Sequence, residues 1–168
     1  MESFSVNIIG LSNNVHQFGF ELGDEFFKQF GQDLLDKGIF KAKITLDKRE
    51  TLIQADFRIE GTARLICDRS LEPFDYPMTL ENQIMFKYGQ EKKEISEDMV
   101  MITHETEKLD MGQYMYEFIS LGIPMKKLHP KFQGEESDQD SMIYRSDQEE
   151  KPDIDPRWEA LKKLNKKN

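Results

Sequence analysis

The chain has 168 residues, 38% hydrophobic and 11% aromatic, enough for one ordinary domain and an appendage. Its apolar runs are far shorter than the roughly 20 residues that span a bilayer, MESFSVNIIG lacks a signal-peptide pattern, and one cysteine allows no internal disulfide. The net charge of −9 argues against a general nucleic-acid binder, and these features together predict a soluble cytoplasmic protein without membrane attachment.

Short strands are expected at 4–9 and 15–22. In GDEFFKQFGQDLLDKG (23–38), Asp24 can cap a helix, Phe26, Phe27, Phe30 and Leu34 form its stripe, and Gly38 can stop it. Phe40, Ala42, Ile44 and Leu46 then alternate with polar residues, the signature of a half-buried strand. After the charged turn DKRE (47–50), every odd position from Ile53 to Cys67 is apolar or glycine. That run exceeds the usual strand of about 5–6 residues, so Gly61 is expected to bend or bulge it. Alternation resumes after Pro73 on even positions, from Phe74 to Tyr88, with Pro77 marking an edge or strand-entry segment. GQEKKE (89–94) reads as a turn and the region 99–104 as a strand. In LDMGQYMYEFISLGIP (109–124), Asp110 can cap a second helix whose buried face holds Met111, Tyr114, Met115, Phe118 and Ile119, with Gly122 and Pro124 ending it.

Strands joined by short turns, with few helices, predict an α+β fold on a twisted antiparallel sheet that can curl towards a barrel. This domain is expected over 1–132. Residues 133–154 carry almost no apolar side chains and are expected to form a disordered acidic linker. From 155 to 168, DPRWEALKKLNKKN predicts a short C-terminal helix: Asp155 caps it, Pro156 suits its first turn, and Trp158, Leu161 and Leu164 share a face. Charge divides accordingly: −6 over 1–133, −7 over 134–155 and +4 over 156–168.

The octapeptide CDRSLEPF (67–74) is the strongest chemical candidate, since it is half of a C-x-x-C metal knuckle with Ser70 where a second thiolate would stand. A structural zinc site needs about four nitrogen or sulfur ligands, and His16, His104 and His129 show no spacing that ties them to Cys67. A nucleophilic thiol needs an adjacent base or a lowered pKa. Cys67 instead continues the apolar odd-numbered face, as expected of a packed, inert thiol. No catalytic motif, metal site or cofactor site is read from the sequence, so the protein is expected not to be an enzyme. At the basic end, Arg157, Lys162, Lys163, Lys166 and Lys167 with Trp158 can clamp RNA by phosphate contact and stacking. Equally, the cations can serve the helix C-terminus while Trp158 anchors the helix.

Two motifs together, FRIEGTARLICDRSLEPF (57–74) and DPRWEALKKL (155–164), resemble the YceD-like family of large ribosomal RNA subunit accumulation proteins, and LGIP (121–124) is similar to that family's L-x-L-P helix end. The resemblance implies a non-enzymatic role in synthesis, processing or stability of large-subunit ribosomal RNA. It implies as partners that RNA, its precursor particle or a basic large-subunit ribosomal protein. The positions carried over are Cys67, Arg69, Leu71, Glu72 and Pro73, then Asp155, Pro156, Arg157 and Trp158. Ser70 departs from the family's C-x-R-C pattern, and 125–154 lacks the further cysteine cluster of many relatives.

Overall fold

A computed structural model of the chain describes residues 4–30, 35 and 37–134. The chain divides into two units, and the architecture is that of the first, Met1–Gln133. Leu34, the acidic segment beyond Gly134 and the helix expected at 155–168 lie outside the described residues. In chain order the elements are β1 (Ser5–Asn7), β2 (Val15–Leu22), α1 (Asp24–Phe30), β3 (Gly38–Lys48), β4 (Leu52–Ile66), β5 (Pro73–Gly89), β6 (Lys93–Ser96), β7 (Met99–Thr103), β8 (Lys108–Asp110), α2 (Met111–Gly122) and a 3-10 turn, Pro130–Phe132.

Six strands form one sheet in the order β2-β3-β4-β5-β7-β6, while β1 and β8 pair separately. The period-2 pattern sends alternate side chains to one face. Phe40, Ala42, Ile44 and Leu46 on β3 oppose Gly61, Ile59, Phe57 and Ala55 on β4, and all but Gly61 are buried. Both helices pack on this face. Phe27 of α1 meets Phe40 edge-on at 5.8 Å, and Phe118 of α2 meets Phe57 at 5.2 Å. Burying one such phenylalanine contributes about 1.5–3 kcal/mol. The Asp110 carboxylate accepts the Gly112 N–H at 2.9 Å, and Met111, Met115 and Ile119 are buried beneath α2. Both features follow the sequence expectation.

Four expectations are corrected. Gly38 does not stop α1; it opens β3, where an added Cβ would lie 2.8 Å from the Phe40 ring and 3.1 Å from the Thr62 carbonyl. Gly61 makes no bulge, because β4 pairs with both neighbours without a register shift. Its role is close approach to β3. The sheet is not wholly antiparallel: β6 and β7 form a hairpin that returns β7 parallel to β5. The four exposed residues of β6 carry no buried alternation to announce it. Finally, the sheet does not close into a barrel, since β2 and β6 remain its two edges among the described residues. Pro77 lies in the stretch of β5 that has only β4 as neighbour, consistent with its expected edge position.

Candidate functional site: the clasped corner between β4 and β5

The register pairs Ile66 with Pro73, so Cys67–Glu72 forms the loop joining the two longest strands. The loop folds on itself. The Cys67 N–H donates to the Glu72 carbonyl and the Leu71 N–H to the Cys67 carbonyl, both at 2.9 Å. The Ser70 N–H points at the Cys67 Sγ, 3.5 Å away. Leu71 closes the turn at φ 58°, a left-handed conformation that costs a non-glycine residue about 1–2 kcal/mol. It also leaves 76% of Leu71 exposed.

After α2 the chain returns as a strap over 125–132 and clasps this loop. The Asp68 N–H donates to the Lys127 carbonyl at 2.7 Å, and the Asp68 Oδ2 accepts the Lys127 N–H at 2.7 Å. The His129 N–H reaches the Cys67 Sγ at 3.3 Å, and its ring packs 5.7 Å from Phe74. Lys131 pairs with Glu72, and the Arg69 guanidinium lies 4.8 Å over the Phe132 ring. The ammonium of Lys131 holds the Glu72 carboxyl below the usual carboxylate range.

Cys67 is fully buried and continues the apolar face, as the sequence predicts for a packed thiol. Its surroundings are nevertheless polar on one side. Burial pushes the thiol up, but hydrogen bonds from Ser70 and from the His129 and Arg69 backbones outweigh it and bring the pKa down to about 7. The imidazole is not a base for this sulfur: its Nδ1 accepts the Lys131 N–H at 3.2 Å. An acid whose folded pKa lies below its unfolded value binds fewer protons when folded, so its stabilisation is full above the unfolded pKa near 9. It is lost as pH falls through about 7. Wild type is therefore expected to gain stability relative to Cys67→Ala between pH 7 and 9, checked by urea midpoints at half-unit intervals. A pH-independent difference would rule out the lowered pKa.

Of the sequence candidates, Cys67, Arg69, Leu71, Glu72 and Pro73 come together at this corner. Arg69 and Glu72 both make contacts to the strap. Asp155, Pro156, Arg157, Trp158, Lys162 and Lys163 lie outside the described residues. The sequence reading missed Asp68, Lys127, His129, Lys131 and Phe132. Their partners are about 60 positions away, and no local periodicity encodes such a pairing. Among the described residues no group of three or more His, Cys, Asp or Glu side chains is placed to hold a metal ion, and no helix is long and apolar enough to cross a membrane.

The fold thus defines an α+β protein with a long β-hairpin whose corner is held from behind by the chain leaving α2. The chain belongs to the YceD family, the large ribosomal RNA subunit accumulation proteins, whose family model matches residues 55–165. That match takes in most of β4, the corner, α2 with its LGIP end and the DPRWEALKKL motif, and so includes every segment on which the resemblance rests. The family consists of ribosome-biogenesis accessory factors without known catalytic activity. No curated protein and no solved structure matches the chain.

Proposed function

We propose that this protein is a non-enzymatic assembly factor that docks on a nascent large ribosomal subunit and supports accumulation of its RNA in the cytoplasm. Family membership supplies the large-subunit RNA context. The observation that carries the docking reading is Leu71, held in a strained left-handed turn with three quarters of its surface exposed. Glycine would fill that position without strain, so retaining a large apolar side chain there favours a contact made with a partner. The surrounding charge suits a basic ribosomal protein: the −6 body and −7 acidic segment attract such a partner and discourage bare RNA. In this reading 155–168, joined to the domain through 133–154, adds a second contact, raising affinity through effective concentration.

A second reading, direct RNA binding through the C-terminal segment, is favoured by its local charge of +4 and by Trp158. The two readings separate in one experiment. Tagged protein is isolated from cells on a sucrose gradient, with its RNA and proteins identified, for the full chain and for a chain lacking 150–168. Docking by the folded domain predicts large-subunit particles with both chains, bound more weakly without the tail. RNA binding by the tail predicts complete loss on truncation. Absence of ribosomal components with the full chain would overturn both.

A further inference from the structure

We infer that the outer edge of β5 from Thr79 to Ile84 is a strand-addition site for an extended protein segment whose side chains alternate between apolar and basic. β5 is 17 residues long, yet β7 pairs only with Met85–Gly89. The Met85 N–H donates to the Asp98 carbonyl at 2.7 Å on the β7 side, whereas the Tyr88 N–H donates to the Thr51 carbonyl on the β4 side at 3.1 Å. The β4–β5 register runs without a shift from end to end. Odd-numbered residues therefore aim their backbone groups away from β4 back along the strand. Among the described residues no strand takes up the N–H groups of Thr79, Glu81 and Gln83. Pro77 has no N–H, so the ladder an incoming strand could form stops there.

The two flanks of this edge differ in chemistry. On the helix side, Gly122 lies against the Met78 and Leu80 side chains, and the nearby Leu121 and Met125 are 82% and 101% exposed. On the opposite face, along the β4–β5 register from Asp56↔Gln83 to Arg64↔Asp75, the carboxylates Asp56, Glu60, Asp75 and Glu81 outnumber the guanidinium groups of Arg58 and Arg64. A strand sends successive side chains to opposite faces. An incoming segment thus meets apolar surface with one set and excess negative charge with the other. A second copy of this edge fits worse, because it brings carboxylates against carboxylates and places Pro77 in the ladder. The net charge of −9 further favours a basic partner.

The partner's identity as a large-subunit component rests on the proposed function; the recognition chemistry does not. The test is calorimetric titration of the full chain with an eight-residue peptide alternating valine and lysine, and with the same peptide N-methylated at alternate amides. Binding is expected to weaken at least tenfold on N-methylation. Thr79→Pro should produce a similar loss with an unchanged melting temperature, since the N–H it removes has no strand partner among the described residues. Glu81→Lys keeps the backbone donor and should weaken binding several-fold, which covers the case where Thr79→Pro disturbs the strand. No binding at millimolar peptide, or binding indifferent to N-methylation, overturns the proposal. If the peptide fails while large-subunit particles still co-purify, the edge assignment falls alone. Peptide binding without particles would instead overturn the assembly reading.

Discussion

Gly61→Val is expected to destabilise the domain strongly. An added Cβ at this position would lie 2.6 Å from the Phe40 Cα and closer still to the Ile39 carbonyl oxygen. Both are backbone atoms of the interior strand β3, and neither can swing aside as a flexible side chain would. Relief requires β3 and β4 to separate where Phe40, Phe27 and Phe26 pack in successive edge-on contacts. Overpacking typically costs about 1–3 kcal/mol, and valine adds further methyl groups to the clash, so a loss of 3 kcal/mol or more is expected. That is a large share of the roughly 5–15 kcal/mol by which domains are usually stable. Gly19→Ala is the matched control, because nothing lies within 4 Å of a Cβ there and its φ is not positive. It should be neutral or slightly stabilising. Urea titration followed by circular dichroism compares the two. A Gly61→Val protein with near-native stability would mean that β3 and β4 do not approach as described.

Asp68→Ala is expected to release the strap while leaving the sheet folded. The Asp68 carboxylate is the side-chain half of a reciprocal pair with Lys127, and its charge makes the bond stronger than a neutral one. Hydrogen bonds to charged groups contribute about 1.5–3 kcal/mol. Losing this one should raise the population of strap-open molecules by about 10–100-fold. Cys67 reports the opening, because the sulfur is buried and the strap supplies its His129 contact. Its rate of modification by an aromatic disulfide reagent should rise by the same factor of about 10–100, with the global urea midpoint changed much less. Asp68→Asn retains an acceptor oxygen and should fall between. Unchanged thiol reactivity in Asp68→Ala would show that some other motion exposes the cysteine.

The corner was partly legible before the fold was known. Phe74 follows Pro73 into the opposite strand, and Cys67 closes the odd-numbered apolar face of β4; both positions follow from counting in twos. What counting could not supply is the clasp. Asp68 meets Lys127 and Glu72 meets Lys131, each 59 residues away, and a lysine in the run MKKLHPKF looks the same whether it faces solvent or a carboxylate. The half-knuckle pattern likewise invited a search for missing ligands. The remaining sulfur is instead satisfied by backbone N–H groups of Ser70 and His129.

The strands β3, β4 and β5 and the helix α2 were set by spacing along the chain, because alternation or a helical stripe decides locally which side chains must leave water. Their faces, the Asp110 cap and the turn at Pro73 therefore needed no long-range information. The fold settled other matters: the parallel insertion of β7, the open edge of β5, the tight passage at Gly61 and the strap across Cys67–Glu72. Each depends on which distant segments meet when the apolar face is buried, and that choice is made by packing the whole sheet against its helices rather than by any stretch of residues alone.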